Sequence, residues 1–288
     1  MRFVHYTSAE SAMKMINSRK VWMRKSTTMN DFSEIEHGLN CVEAAWQTPA
    51  AYQFKAVLEE KFPGLVKQVV EAYESWRPHF QMETYFTCIS EHSGGREDRL
   101  GRLSMWGAYG NVALVLRPDV FMSETQSLGA YSSPVDYQDE ASFIASFEKI
   151  VEVVTHEKDF IGNRERDLVF SLVFLMLRLA VLATKHPGFV EEREWRIYYS
   201  PTIEPSIRIK KELEIVNGIP QPVCKIPLED DQENGLVGFT PDQLIDRIII
   251  GPMQHPWVAA EAFVELLTTS GVADAQHKVW ISDIPLRQ

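Results

Sequence analysis

Short extended stretches are scattered along this chain, and they are not joined by single helices of regular length. That spacing argues against a doubly wound parallel sheet, where strand and helix alternate. Arg2 to Tyr6 reads as a strand, as do Val21–Met23, Thr84–Ser90, Val112–Leu116, Leu244–Ile250 and Lys278–Ile281. Pro134–Tyr137 and pieces near 206–215 and 222–227 read as extended, and an acidic strand spans 192–200. Ser8 is placed to cap a short helix that ends at Asn17-Ser18. Residues 33–46 and 50–77 read as helices punctuated by Pro49 and Pro63-Gly64; 139–155 and 164–185 follow. The last carries apolar residues on most sides and is expected to be largely buried. The chain shows no repeat, no low-complexity tract and no shift of composition. The expectation is one α+β domain over 1–288, with helical excursions at about 33–80 and 139–186.

Net charge is −11, which disfavours sequence-blind binding to nucleic acid, because that binding rests on neutralising phosphates. A local basic groove near Arg96, Arg99 and Arg102 stays open. Three cysteines without paired spacing suit a reducing compartment and argue against a zinc ribbon. No secretory leader is legible, and the longest apolar run, Leu168–Ala183, is broken by Ser171 and Arg178. These features fit a cytoplasmic protein with no membrane partner. The eight histidines stand singly, so no metal site is expected, and no phosphate-loop, dinucleotide or nucleophile-elbow motif occurs.

Four polar clusters remain. His5-Tyr6-Thr7 ends the first strand, where a ring can face a ligand or bond a neighbouring backbone group. Asn30-Asp31 with Glu34 reads as turn chemistry at a helix start. Trp106 and Tyr109 share a helical face, to stack on a flat ring or to join the core. Glu192 and Glu194 follow Pro187-Gly188; with strand geometry from Glu192 on, both carboxylates look into one space and Arg196 shares it. Taken alone, Glu192 and Glu194 read as a salted strand end before they read as a site. Together the clusters could hold a ribose hydroxyl, sandwich a nicotinamide, and stabilise an oxocarbenium-like transition state while a second carboxylate takes the nucleophile's proton.

The order His5-Tyr-Thr-Ser, Asn30-Asp-x-x-Glu, Ser104-x-Trp-x-x-Tyr, Glu192-x-Glu-Trp-Arg and a closing Ile-Ser-Asp-Ile-Pro-Leu-Arg resembles a large bacterial family known only as a domain of unknown function. The resemblance runs from His5 to Arg287. A fainter one concerns mechanism. His5-Tyr6-Thr7 is similar to the H-x-T of the ADP-ribosyltransferase fold, and Glu192-Arg-Glu194 to the E-x-E of its arginine-modifying members. Arg102-Leu-Ser-Met105 is loosely similar to the R-x-x-M of DNA-modifying toxins. The S-T-S strand of the arginine-specific class is not evident; Thr87–Ser90 is the nearest stretch.

This resemblance implies an ADP-ribosyltransferase-like core of short strands carrying the two helical insertions. NAD would be the substrate, bound by His5, Tyr6, Thr7, Asn30, Trp106 and Tyr109. Glu194 would be catalytic, Glu192 would touch the acceptor, and Arg102 would make a phosphate or catalytic contact. The implied function is a toxin or phage-defence effector passing ADP-ribose to RNA, DNA or protein, with an antitoxin or chaperone as a further partner. Two other classes stay open: a non-catalytic module binding a nucleotide or partner, and a metal-dependent phosphate enzyme using Asp31, Glu34, Glu192 and Glu194.

Overall fold

The structure, a computed structural model, describes residues 2–29, 34–122, 127–216 and 218–285. Asn30, Asp31, Leu286 and Arg287, and the side chain of Glu34, lie outside the described residues. In chain order the strands are β1 Arg2–Thr7, β2 Lys20–Lys25, β3 Tyr85–His92, β4 Val112–Leu116, β5 Tyr131–Pro134, β6 Asp136–Tyr137, β7 Thr184–Lys185, β8 Glu194–Tyr199, β9 Lys210–Val216, β10 Ile219–Pro227, β11 Ile245–Ile250 and β12 Val279–Ile281. With the helices between them they make an α+β protein. The chain divides into two compact units: Met1–Arg24, Tyr85–Pro134 and Glu191–Gln288 form one, Lys25–Thr84 and Val135–Val190 the other. Both helical stretches expected as insertions fall in the second unit.

The first unit is built on one sheet ordered β12-β11-β4-β1-β3-β2-β10-β9, with β8 added to β3 and β5 to β8. β1 runs antiparallel to β3 and β4, and β4 to β11; β11 and β12 are parallel. The sheet is covered on both faces, which explains why β4, Val-Ala-Leu-Val-Leu, reads as an unbroken apolar run. One face carries Phe3, Ile89, Leu114, Leu116, Ile248 and Ile250 into the larger core. The opposite face carries Val4, Tyr6, Ala113, Val115 and Ile249 against Met105 and Trp106. The helix Ala9–Ser18 starts as its sequence predicts: Ser8 Oγ accepts from the Ser11 N–H at 3.1 Å.

The second unit consists mainly of the helices Glu34–Trp46, Pro49–Lys61, Leu65–Met82, Glu140–His156, Lys158–Gly162 and Arg166–Ala183. Trp46, Phe54 and Phe147 form an aromatic cluster between them. Two expectations change here. The helix predicted to end at residue 77 continues to Met82 with Pro78 inside it. The helix Arg166–Ala183 buries one side only; Leu168 and Leu172 are about half exposed, at 48% and 55%, since four-residue spacing puts them on one outer stripe. Among the described residues no helix is long and apolar enough to cross a membrane.

Candidate functional site

β8 begins at Glu194, two residues later than the sequence predicts. Pro187–Glu192 winds into a 3-10 turn, and Arg193 takes a left-handed conformation with φ 43°. Glu192 is therefore not on the strand, and strand alternation does not place it beside Glu194. A different device does. Glu194 stands opposite Ser90 in the β3–β8 ladder, so both side chains share a face. Glu192 reaches the same recess from the turn and accepts from Tyr109 Oη at 2.6 Å. Within β8, Arg196 Nε donates to Glu194 Oε1 at 2.9 Å, the same-face pairing expected at i and i+2. The pair is buried, Glu194 5% and Arg196 0% exposed. Tyr6, Cys88, Ser90 and Met105 complete a recess of about 30 Å³. That is room for a water, not for a ribose.

Arg102 pins the turn. One terminal nitrogen donates to the carbonyls of Glu191 and Glu192, at 2.6 and 3.1 Å, and to Ser90 Oγ at 2.8 Å. The other donates to the Glu91 carbonyl at 2.8 Å, and Glu97 receives both Nε and this nitrogen at 3.3 Å. The guanidinium fork is thus engaged on protein oxygens, where the resemblance assigned it to phosphate or catalysis. Its geometry suits several acceptors at once, as a lysine's would not. Partial burial works against the Glu97 carboxylate, but the hydrogen bonds from Arg102 and the Ser93 N–H hold it down to about 2.

Tyr6 and Trp106 belong to the packing of this face. Tyr6 Oη accepts from the Arg102 backbone N–H at 2.7 Å and lies 2.7 Å from His92 Nε2. Burial raises the Tyr6 phenol. Burial, aided by the charge of Arg102, lowers His92 to about 4, so its imidazole is neutral at neutral pH and accepts the Tyr6 proton. Trp106 is 1% exposed and donates its indole N–H to the Leu100 carbonyl at 3.0 Å. Gly101 and Gly251 press on its ring; a Cβ at either would come to 2.2 or 2.7 Å from ring carbons. Trp106 is core and offers no face for nicotinamide, the usual fate of an aromatic on a core-facing helix.

His5 and Thr7 alternate with Val4 and Tyr6 and so face the other side of the sheet from Glu194. The structure brings Glu192, Glu194, Tyr109, Tyr6 and Arg102 together, and it leaves His5 and Thr7 apart from them. Thr7 contacts neither space. His5 instead borders a cavity of about 490 Å³. The β1–β3 ladder covers only Arg2–Val4 against Ser90–His92, so His5 stands where the two strands have parted. Thr87 and Ser132 are the other small polar residues lining it, with Tyr131 at its edge; the rest is apolar, including Leu114, Leu116, Phe121 and Ile245. Among the described residues, no aspartate, glutamate, lysine or arginine lines it. The volume lies in the range of small-molecule pockets, roughly 300–1,000 Å³. His5 is legible in the sequence but the cavity is not, since its walls come from β1, β2, β3, β4, β5, β8, β10 and β11 and from the helix Ala9–Ser18. The one local sign was His5 and Thr87 standing at inward positions of otherwise apolar strands.

Among the described residues no three His, Cys, Asp or Glu side chains converge as a metal site. Residues 105–197 match the model of a family described as "Protein of unknown function (DUF2971)". The resemblance to a family of unknown function therefore holds on the stretch that carries Trp106, Tyr109 and the Glu192–Glu194 turn. No curated protein and no solved structure matches this chain.

Proposed function

We propose that this protein is a binding module for a small, uncharged and mainly apolar molecule, held in the cavity beside His5. The observation that carries the reading is the lining: about 490 Å³ of space with no ionised side chain among the described residues around it. An ion brought into such a space loses its hydration and finds no counter-charge, which costs several kcal/mol or more. Apolar surface gains about 25 cal/mol per Å² on leaving water. The test is titration with a neutral solvatochromic dye such as Nile red, in the native protein and in Ala130→Phe, which fills the cavity. One saturable site is expected, lost in the variant. Absence of binding by neutral probes, or binding indifferent to the filled cavity, overturns the reading.

A second reading rests on the recess of the opposite face. There Glu194 opens a strand after a turn, Ser90 lies across from it, and Glu192 and Tyr109 are hydrogen-bonded beside it. This set favours an ADP-ribosyltransferase-like core in which Glu194 acts on NAD and Glu192 on the acceptor, a macromolecule in a toxin or phage-defence setting, with an antitoxin or chaperone as partner. The recess must open to admit a ribose. Labelled NAD incubated with cell extract tests it: transfer of label that Glu194→Gln abolishes, with NAD binding retained, supports the reading, and labelling unchanged in that variant removes it.

A further inference from the structure

The cavity is apolar but not featureless, and its polar groups are arranged in a particular way. His5 Nδ1 lies 2.9 Å from the Cys88 carbonyl. A carbonyl only accepts, so Nδ1 carries the proton and Nε2 presents a lone pair. Burial lowers the His5 pKa, which keeps the ring in this neutral form. Among the described residues Nε2 has no partner, and neither does the hydroxyl of Thr87, which is 4% exposed and lines the same cavity. His5 and Thr87 sit on the same face of adjacent strands, since His5 stands one step beyond the Val4–Ser90 pair. One acceptor and one hydroxyl thus remain unmet; the Ser132 and Tyr131 hydroxyls, which also line the space, donate to the Phe121 carbonyl and to Glu204, and the rest of the wall is hydrocarbon.

Their chemistry selects one kind of head group. A carboxylate would set its charge against the imidazole lone pair with no cation among the described lining residues. An ammonium would find no carboxylate among them. An ether or ester offers no proton for Nε2. A hydroxyl donates to Nε2 and accepts from the Thr87 O–H, meeting both groups. We infer that the ligand is a neutral, hydroxyl-bearing hydrocarbon, an alcohol or phenol, whose O–H is received by His5 and Thr87 and whose carbon body fills the rest of the cavity. This rests on the reading of the cavity as a binding site.

The experiment is ligand-observed NMR or calorimetric titration with 1-octanol, methyl heptyl ether (the same number of heavy atoms but no donor) and octanoate. The native protein is expected to bind the alcohol about fivefold to tenfold more tightly than the ether, the worth of one buried hydrogen bond. Octanoate at neutral pH is expected to bind weakest. His5→Phe is expected to reduce the difference between alcohol and ether to less than about twofold while ether binding persists. Persistent ether binding shows that the variant is folded, whereas Thr87→Val removes a donor that either oxygen can use and is expected to weaken alcohol and ether alike, leaving their ratio as it was. Equal binding of alcohol and ether by the native protein overturns the hydroxyl preference and leaves the cavity reading standing. Failure of every probe to bind overturns both.

Discussion

The two faces of the first unit's sheet are built from alternate residues of the same strands, yet they are organised in opposite ways. On one face Arg102 bonds Tyr6 and Ser90, Tyr6 bonds His92, Arg196 bonds Glu194 and Tyr109 bonds Glu192, and the recess beside them is about 30 Å³. On the other, His5 and Thr87 stand in about 490 Å³ lined almost wholly by hydrocarbon. The first face is a hydrogen-bonded polar frame; the second is an unfilled, mainly apolar volume in which His5 and Thr87 stand unmet among the described residues. Stability is expected to reside in the frame and ligand affinity in the volume. Mutations should separate the two.

The largest effect is expected at Trp106. Trp106→Ala removes a ring that is 1% exposed and leaves a cavity, costing about 3–5 kcal/mol in chemical denaturation. A ligand-stacking tryptophan would instead lose affinity with little loss of stability, and that outcome would break the comparison at its centre. The next effect is one of pH. The unfolded chain protonates His92 near 6.5 and the folded protein near 4, so the unfolded state holds more protons between these values. Stability is therefore expected to be full above pH 6.5 and to fall by on the order of 3 kcal/mol as pH drops to 4. His5 is shifted in the same direction and adds to the slope. His92→Gln, which keeps an acceptor for Tyr6, should flatten most of the dependence in urea titrations at several pH values; an unchanged slope would place it elsewhere.

Arg102→Met is expected to cost about 2–3 kcal/mol, because it strands the carbonyls of Glu91, Glu191 and Glu192. Hydrogen exchange should rise at Arg193 and Glu194 while dye binding in the cavity stays as it was. Loss of dye binding with no change of exchange would reverse the roles given to the two faces. The smallest effect is expected at Thr87→Val. Among the described residues this hydroxyl has no partner to lose, so the unliganded protein should change by less than about 1 kcal/mol, toward higher stability. A marked destabilisation in thermal melts would mean that Thr87 belongs to a frame like that of the other face.

Much of the element order was legible locally. Ser8 capped its helix, Pro49 stood at the start of another, and β4 announced itself as an apolar run. The α+β class followed from the irregular spacing of strands. The Glu194–Arg196 pair was also legible, since i and i+2 share a face in any strand. The start of β8 was not. Arg193 in a left-handed conformation breaks the alternation, and that conformation is favoured by contacts distant in sequence, above all Arg102 holding the carbonyls of Glu191 and Glu192.

The sequence by itself determined which residues could face one another along each strand, because alternation is a local property of the backbone. It placed His5 opposite in sense to Tyr6, and Glu194 alike with Arg196. Only the tertiary structure decided which face each set turned to, because that depends on which strands become neighbours. The β3–β8 register put Glu194 beside Ser90 and away from His5. The early parting of β1 and β3 left the volume that His5 borders.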